Sequence, residues 1–491
     1  MKRLSAASAA RFVRPPAGSI FVGGTASHVG KSWFCTAICA WLRRHGFRVA
    51  PFKAQNMSNN SYPSIDGGEI GRAQVVQAWA CGLEPETAMN PILLKPSGES
   101  LCQVVVRGKV WKTVRAREYY QYHDILLEEV LRAWAELATR FDFIVIEGAG
   151  SVAEVNLTRY DLVNFGFARR VGAPTLIVAD IERGGVFASI LGTLHLLEPP
   201  DRAMVRSIAI NRFRGDPSLF EEGRAFLEQA TGLPCLGVFP YDSSIRLEAE
   251  DSLSVPPPSG SVPPEARCAI VRLPRISNST DFELISEAVW IDRPVDHQFD
   301  IVILPGSKST IADLVWLREQ DLDRWILAQY AAGARVIGVC GGFQMLGERI
   351  EDPHGLDGRP ACVHGLALVP AVTVMNPEKQ VCRRSAITIE GVRVEGYEIH
   401  MGQTILLEQL PPLFTLEDGR TEGVRLERLI GTYLHGALRC PEFLTRVTGL
   451  QPSSDPPFER IAESLASWFD RHAPLFRDLY LQDAIQASCH D

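Results

Sequence analysis

Short apolar runs alternate with longer amphipathic stretches along most of this chain. The apolar runs are rich in Val, Ile and Phe, which is typical of strands buried in parallel sheets. Predicted strands are Ser19–Val22, Arg48–Phe52, Phe143–Ile146, Thr175–Val178, Ser207–Ile210, Ile301–Leu304 and Val336–Val339. Helical periodicity is clearest at Lys31–Arg44 and Glu118–Ala138. Because strands and helices alternate, the sequence predicts an α/β fold built on parallel sheets.

A proline-rich segment divides the chain into two such regions. Residues 254–264 read SVPPPSGSVPP, and proline both fixes φ and removes a backbone donor, so we predict an extended linker there. The first domain is then expected at 19–253 and the second at 265–491. Residues 1–18 are rich in Arg and Ala without the apolar block of a signal peptide, and we expect a disordered leader.

Composition and charge exclude several classes of protein. The chain has 491 residues, of which 46% are hydrophobic and 22% charged, as in globular proteins. A net charge of −8 without a concentrated basic segment argues against nucleic acid as the main partner. No apolar run approaches the roughly 20 residues that span a bilayer. The 11 cysteines include no CxxC pair, which indicates reduced thiols and a cytoplasmic protein. The sequence does not determine the oligomeric state.

A phosphate-binding loop is predicted near the start of the first domain. The sequence GGTASHVGKS joins a strand to a helix and ends at Ser32. Backbone N–H groups of such a loop can surround phosphates, with Lys31 reaching the β and γ phosphates and Ser32 ligating Mg²⁺. The loop is one residue longer than the standard GxxxxGK[ST], since Gly24 stands six positions before Gly30 and Thr25 replaces the usual glycine. The sequence therefore predicts a MgATP site.

Two acidic residues end neighbouring predicted strands of the same domain. Glu147 directly follows the strand Phe143–Ile146, and Asp180 ends the strand that runs through Ala179. Each alone could be an ordinary loop carboxylate. The carboxyl ends of parallel strands share one edge of a sheet, however, so we expect Glu147 to be the second Mg²⁺ ligand.

The second domain contains a glycine-framed cysteine after a predicted strand. In VIGVCGGFQM, Cys340 lies between glycines at a strand-to-helix turn, the pattern of a nucleophile elbow. The helix N-terminus favours the thiolate, and the N–H of Gly341 lies where an oxyanion would develop. For the other ten cysteines we favour the alternative, a buried structural thiol.

A histidine base and a second oxyanion donor complete this predicted site. His435 in IGTYLHG is the favoured base, and His400 in GYEIHMG is its competitor. The turn LPGSK, which contains Gly306, follows a strand and can supply a further backbone N–H. The residues predict acyl transfer through a thioester.

The two halves resemble known families. The second is similar to class I glutamine amidotransferase domains, and the first resembles the dethiobiotin-synthetase-like P-loop amide ligases. Fused in this order, they resemble the cobyrinic and cobyric acid synthases of corrinoid biosynthesis. Stretches that resemble the cobyric acid branch are Phe52–Met57, Gly67–Gln74, Asn90–Pro96, Asp180–Phe187, Leu247–Leu253, Arg272–Asn278 and Gly396–Gly402.

This resemblance implies substrates and further site residues. The substrates would be ATP, glutamine and a corrinoid, adenosylcobyrinic acid a,c-diamide, amidated at its b, d, e and g carboxylates. By the same resemblance, Asn211 would read adenine, while Lys53 and Asp66 would contact the γ-phosphate and Mg²⁺. Corrinoid carboxylates call for nearby cations, for which the candidates are Arg72, Lys95 and Arg107.

Some features leave alternatives open. Class I glutaminases generally carry an acid two residues after the histidine, where this chain has Ala437. A Cys–His dyad is therefore expected, with no orienting group identified for His435. The alternatives are a cobyrinic acid a,c-diamide synthase and a nucleotide-switched partner protein with an inert Cys340.

Overall fold

The computed structural model describes residues 18–98, 101–248, 250, 255–258, 261–454 and 456–482. The predicted leader, apart from Gly18, and part of the predicted linker lie outside these residues. Both predicted α/β domains are present. Their helices and strands are as follows.

The first domain and its surroundings contain β1 (Gly18–Gly24), β2 (Val49–Phe52), β3 (Gln55–Met57), β4 (Ser61–Pro63), β5 (Glu69–Gly71), β6 (Ile92–Gly98), β7 (Leu101–Val106), β8 (Lys109–Arg115), β9 (Phe143–Glu147), β10 (Thr175–Asp180), β11 (Val205–Phe213) and β12 (Cys235–Pro240). Its helices are α1 (Lys31–Arg44), α2 (Arg72–Ala80), α3 (Ala116–Tyr119), α4 (His123–Ala138), α5 (Phe165–Val171), α6 (Val186–Leu196), α7 (Pro199–Arg202) and α8 (Glu221–Thr231).

The second half contains β13 (Cys268–Val271), β14 (Val289–Ile291), β15 (Ile301–Leu304), β16 (Arg335–Val339), β17 (Arg349–Asp352), β18 (Ala361–His364), β19 (Ala371–Thr388), β20 (Arg393–Leu406), β21 (Phe414–Leu416), β22 (Thr421–Glu422), β23 (Val424–Arg425) and β24 (Leu429–Thr432). Its helices are α9 (Thr310–Glu319), α10 (Leu322–Ala331), α11 (Gly341–Leu346), α12 (Pro441–Thr448), α13 (Phe458–His472) and α14 (Phe476–Tyr480).

The first domain is built on a parallel sheet with the strand order β12-β11-β10-β1-β9-β2. Strands β1, β9 and β10 are adjacent, so their carboxyl ends meet at one edge, where the loop before α1 begins. Buried apolar side chains of the sheet pack against helices on both of its faces. This arrangement confirms the predicted α/β class and places the glycine-rich loop and Glu147 side by side.

The second domain has a sheet with the order β14-β13-β15-β16-β24-β23, parallel except for the edge strand β23. Strands β15, β16 and β24 are neighbours, and the predicted Gly306, Cys340 and His435 follow them in that order. A separate sheet carries the long antiparallel hairpin of β19 and β20. Tyr397 on β20 is bridged to His435, which ties the hairpin to the site.

One predicted helix is shorter than expected. The prediction of Glu118–Ala138 as one helix is wrong at its start, because α4 begins at His123 and a 3-10 turn separates it from α3. Here Tyr119 donates a hydrogen bond from its hydroxyl to Gln55. The Tyr122 ring lies edge-on, 5.0 Å from Trp111. These contacts hold Tyr119 against β3 and Tyr122 against β8 at the point where the helical path is broken.

The last helices pack on the first domain, although they follow the second domain in sequence. Trp468 of α13 lies 5.8 Å from the Phe34 ring and 5.0 Å from the Phe239 ring. The Tyr480 hydroxyl lies 2.7 Å from the Ser207 hydroxyl in the same core. The predicted range 265–491 therefore includes helices that complete the first domain. No helix within the described ranges is long and apolar enough to cross a membrane.

Candidate active sites

Cys340 lies at a sharp turn between β16 and α11. Its φ of 51° and ψ of −109° are strained for a residue with a side chain. A Cβ on Gly342 would lie 2.0 Å from the Leu304 carbonyl oxygen, and one on Gly338 would lie 2.8 Å from Gly342 backbone. Both flanking glycines are thus required by close packing, as expected for a nucleophile elbow.

His435 is fully buried and held by a carboxylate. Its Nδ1 lies 2.7 Å from Oδ2 of Asp281, while the Gly436 N–H donates to Oδ1 of the same residue at 2.7 Å. Burial alone would lower the pKa of His435, but the charge of Asp281 and then the Cys340 sulfur raise this pKa to about 10. The imidazolium form is therefore favoured beside the sulfur, and it stabilises a thiolate.

The other ring nitrogen of His435 is available to Cys340. Among the described residues, the buried Nε2 of His435 has no hydrogen-bond partner within standard limits. The Cys340 side chain nevertheless lies close enough to contribute to the raised pKa of His435. The Tyr397 ring stacks on the imidazole at 5.4 Å and fixes its plane. Cys340, His435 and Asp281 thus form one connected set.

Asp281 corrects the expectation of an unassisted dyad. It lies 154 positions before His435, in a 3-10 turn at Ser279–Phe282. Sequence analysis sought the orienting acid near Ala437 and missed it because the contact is long-range. The one available signal was that Asp281 closely follows the family-like stretch Arg272–Asn278.

The segment that carries Asp281 is anchored on both domains. Ser277 donates its N–H to the Gly306 carbonyl at 2.9 Å. Asn278, at φ 53°, donates its N–H to Oδ1 of Asn60 at 2.8 Å and accepts from the Ser61 N–H at 3.0 Å. The position of Asp281 therefore depends on a loop of the first domain as well as on the second.

The two predicted oxyanion residues lie beside the nucleophile and base. A Cβ on Gly306 would lie 3.0 Å from Cε1 of His435, and one on Gly341 would lie 2.8 Å from the Ser307 nitrogen. The elbow and the turn that follows β15 are therefore in direct contact. Backbone N–H groups from both can point into the same small space.

His400 lies in the same cavity as Cys340 but has a different environment. Its Nδ1 lies 2.7 Å from the Gly402 carbonyl oxygen, and its ring stacks at 3.9 Å on Tyr433. Burial lowers the pKa of His400. Because no carboxylate holds the His400 ring within the described residues, His435 remains the favoured base.

In the first domain, Lys31 lies inside the glycine-rich loop. Its Nζ donates to the carbonyl oxygens of Ala26 at 3.0 Å and Gly150 at 2.9 Å. Burial, followed by the nearby charge of Lys53, lowers the pKa of Lys31 to about 8. Bound phosphates would replace these weak carbonyl partners and favour the charged form.

The remaining loop residues are closely packed. A Cβ on Gly24 would lie 2.8 Å from Val29, and the Thr25 N–H donates to the Val178 carbonyl at 3.0 Å. Gly30 has φ 102°, and a Cβ there would lie 2.2 Å from Nδ2 of Asn211. That Asn211 nitrogen donates to the Val29 carbonyl at 2.8 Å. Asn211 thus supports the loop in this structure.

An acidic cluster surrounds the Ser32 hydroxyl. Ser32 donates to Glu147 at 2.9 Å, and a second bond of 2.8 Å links it to Glu250. Lys53 lies 2.7 Å from Glu147 and 2.8 Å from Glu250. Burial would raise the pKa of Glu250, but Lys53 lowers it to about 2. These oxygen atoms fit a hard cation such as Mg²⁺. Glu250 was missed, although its family-like stretch Leu247–Leu253 had been noted.

Asp66 does not join this cluster. Its carboxylate accepts from the backbone N–H of Thr87 at 3.2 Å and from the Thr87 hydroxyl at 2.5 Å. Asp180 instead pairs with Arg212 at 2.9 Å. Asp66 is therefore removed from the proposed metal ligands.

The three cations expected to meet substrate carboxylates already have partners. Arg72 is buried and pairs with Glu248 at 2.5 Å. Lys95 pairs with Glu69 at 2.7 Å, and Arg107 pairs with Glu136 at 2.6 Å near the surface. Each of these three cations is thus neutralised by a carboxylate in this structure, and its contact with a corrinoid carboxylate stays a prediction.

Comparisons with known proteins agree with this geometry. Residues 20–255 match the CobQ/CobB/MinD/ParA nucleotide binding domain, and residues 267–443 match the CobB/CobQ-like glutamine amidotransferase domain. A cobyric acid synthase of Parabacteroides distasonis is 44% identical over 86% of this chain and 88% of its own length. One of Synechocystis sp. is 46% identical over 93% of this chain and 97% of its own length.

Similarity to solved structures is weak. A glutamine amidotransferase crystal structure has a TM-score of 0.30 at 16% identity, covering 37% of this chain and 99% of the other. The signal recognition particle receptor FtsY of Elizabethkingia anophelis with GDP has a TM-score of 0.28 at 14% identity, covering 48% and 60%.

Fold, site and family matches together define a glutamine-dependent amide ligase, with a nucleotide-binding domain joined to a glutaminase-type domain. The chain belongs to the cobyric acid synthase family of cobalamin biosynthesis.

Proposed function

We propose that this enzyme amidates the b, d, e and g carboxylates of adenosylcobyrinic acid a,c-diamide to give adenosylcobyric acid. Glutamine would supply the nitrogen and MgATP the activation. The observation that carries this proposal is the strained Cys340 beside the buried His435–Asp281 pair, in a chain that also holds a lysine-bearing phosphate loop. A binding protein switched by nucleotide alone has no use for such a thiol.

The glutaminase half would work by acyl transfer. The thiolate of Cys340 attacks the side-chain amide carbon of glutamine, and the N–H groups of Gly306 and Gly341 hold the oxyanion. The imidazolium of His435 gives its proton to the leaving nitrogen, so ammonia departs and a thioester remains. Neutral His435 then takes a proton from water, which attacks the thioester and releases glutamate. Asp281 keeps the imidazole aligned through both steps.

The ligase half would activate a carboxylate that is otherwise a poor electrophile. MgATP supplies the phosphoryl group, which gives an acyl phosphate that ammonia attacks with loss of phosphate. Lys31 would neutralise phosphate charge, while Ser32, Glu147 and Glu250 would hold the Mg²⁺. Lys53, which links both glutamates, would position them.

The direct test counts amides formed on the corrinoid. The enzyme is incubated with the a,c-diamide, ATP and glutamine carrying an isotope label on its amide nitrogen, and products are analysed by mass spectrometry. We expect one labelled nitrogen for each of the b, d, e and g carboxylates. In a parallel incubation cobyrinic acid replaces the a,c-diamide. No label on the a,c-diamide, together with two labelled nitrogens on cobyrinic acid, would instead support a cobyrinic acid a,c-diamide synthase.

Two variants separate the half-reactions. Cys340→Ala should abolish glutamine-supported amidation but retain amidation supported by ammonium salts. Lys31→Ala should lose amidation from both nitrogen sources, because neither bypasses the acyl phosphate. Loss of both activities in Cys340→Ala would contradict the proposed nucleophile.

A further inference from the structure

The cavity that contains Cys340 is built by both domains and holds several lysines. Its lining includes Cys340, Lys308 and Lys379 from the second domain, and Asn59 and Lys95 from the first. None of the steps proposed above uses the three lysine side chains. Their charges therefore require a separate explanation.

Two of these lysines are fixed by one carboxylate. Buried Glu69 accepts from Lys95 at 2.7 Å through one oxygen and from Lys379 at 2.5 Å through the other. Lys95 also donates to the Ser61 hydroxyl at 2.7 Å. Glu69 therefore shares its single negative charge between two cations, and within the described residues it forms no ion pair with a third.

Lys308 is that third cation. Its backbone N–H donates a hydrogen bond to the Arg275 carbonyl oxygen at 2.9 Å. Its side-chain Nζ makes no hydrogen bond and no ion pair within the described part of the chain. Burial and then the charge of Lys379 lower the pKa of Lys308 to about 8. An anion bound here would relieve this repulsion.

The cavity is also lined by an acidic side chain. Asp357 lines it and lies near enough to Lys308 to oppose the lowering of that lysine's pKa. One Asp357 oxygen accepts the Ile311 N–H at 2.6 Å, which fixes the carboxylate in place. A cavity with a free ammonium, a fixed carboxylate and a nucleophile matches a zwitterionic amino acid with an electrophilic side chain.

We propose that Lys308, with Lys379 beside it, binds the α-carboxylate of the nitrogen donor, and that Asp357 binds its α-ammonium group. This inference rests on the proposed function, in which glutamine enters the Cys340 cavity. It makes Lys308 a specificity residue that distinguishes an amino acid from a simple amide. The turn after β15 would then have two roles: its backbone N–H would bind the oxyanion, and its lysine side chain would bind the α-carboxylate.

The test compares two electrophiles that alkylate Cys340 in the full-length enzyme. One is a glutamine-shaped diazoketone that carries the α-carboxylate and α-ammonium groups, and the other is iodoacetamide, which carries neither. In Lys308→Met we expect the second-order rate with the diazoketone to fall about 30-fold to 100-fold, as for loss of a charged hydrogen bond. The rate with iodoacetamide should stay within about twofold, because burial around Cys340 is unchanged. Lys109→Met, at an exposed strand position, is the matched control and should change neither rate.

Steady-state kinetics give a second readout. Lys308→Met should raise KM for glutamine by a similar factor, while amidation supported by ammonium salts is retained. An equal fall in both alkylation rates would show a structural role for Lys308 and overturn the proposal, as would no fall in either. Failure of the proposed function would be seen elsewhere, as absence of glutamate release by the unmodified enzyme.

Discussion

Replacing Asp281 by Asn tests the central geometry of the glutaminase centre. The substitution keeps the size of the side chain but removes the charge that faces Nδ1 of His435 at 2.7 Å. An amide can also present its NH₂ group to the ring, which would favour the wrong tautomer. The imidazolium should therefore lose its main stabilising partner.

The magnitude follows from the pKa of His435. The rise from 6.5 to about 10 corresponds to about 5 kcal/mol of preference for the imidazolium. Burial opposes this rise and Cys340 adds to it, so for Asp281 we take the loss expected when one partner of a buried ion pair is removed, at least about 3 kcal/mol. Asp281→Asn should then lower kcat/KM for glutamine hydrolysis by about 100-fold to 1,000-fold.

Glutamate release and the pH dependence of Cys340 alkylation by iodoacetamide measure the effect. The imidazolium favours the thiolate that iodoacetamide alkylates, so in Asp281→Asn the rise of the alkylation rate with pH should move to higher pH. Amidation supported by ammonium salts should be retained. Asp142→Asn, which breaks an exposed pair with Arg48, is the matched control. Unchanged hydrolysis and an unchanged alkylation profile in Asp281→Asn would refute the role assigned to this carboxylate.

The same pair affects stability. Because the pKa of His435 is raised in the folded state, its contribution is complete below pH 6.5 and is lost as pH rises through about 10. The free energy of unfolding of the unmodified enzyme should therefore decrease as pH rises from 6.5 to about 10. In Asp281→Asn this decrease should be largely absent. Chemical denaturation at several pH values measures it.

Two further substitutions test the first domain. Gly30→Ala places a Cβ 2.2 Å from Asn211 at a φ of 102°. Strain of about 1 to 3 kcal/mol should weaken binding of an ATP analogue by about 5-fold to 150-fold, and unchanged affinity by calorimetry would contradict this loop geometry. Trp468→Ala removes a side chain that is 1% exposed and should lower the free energy of unfolding by about 3 to 5 kcal/mol. On heating, this variant should lose ATP-analogue binding at the same lowered temperature at which it unfolds. Cys340 alkylation in the native enzyme should be unaffected. If nucleotide binding persists through the unfolding transition, the packing of α13 on the first domain is contradicted.

Local patterns explain what the sequence could predict. The strands around Phe143 and Val336, the helix at Lys31–Arg44 and the glycine frame of Cys340 are all determined by residues close together in the chain. The two-domain α/β class followed from the same short-range alternation. The family resemblance then supplied substrates that no local pattern could show.

Long-range partners were beyond such reasoning. Asp281 reaches His435 across 154 positions, and Glu250 reaches Ser32 across 218. The same limit applies to Arg72, whose charge is neutralised by Glu248, 176 positions later. Side chains that look free in sequence can be paired in the fold, and no spacing rule identifies the partner.

The return of α13 and α14 to the first domain has a consequence for biosynthesis. The core around Phe34 and Phe239 lacks Trp468 until the whole second domain has left the ribosome. Roughly 200 residues translated at about 5 to 20 per second give a delay of about 10 to 40 s. During that interval the nascent first domain exposes the apolar side of α1 while the second domain is still being synthesised. The first domain is thus synthesised first but completes its core last.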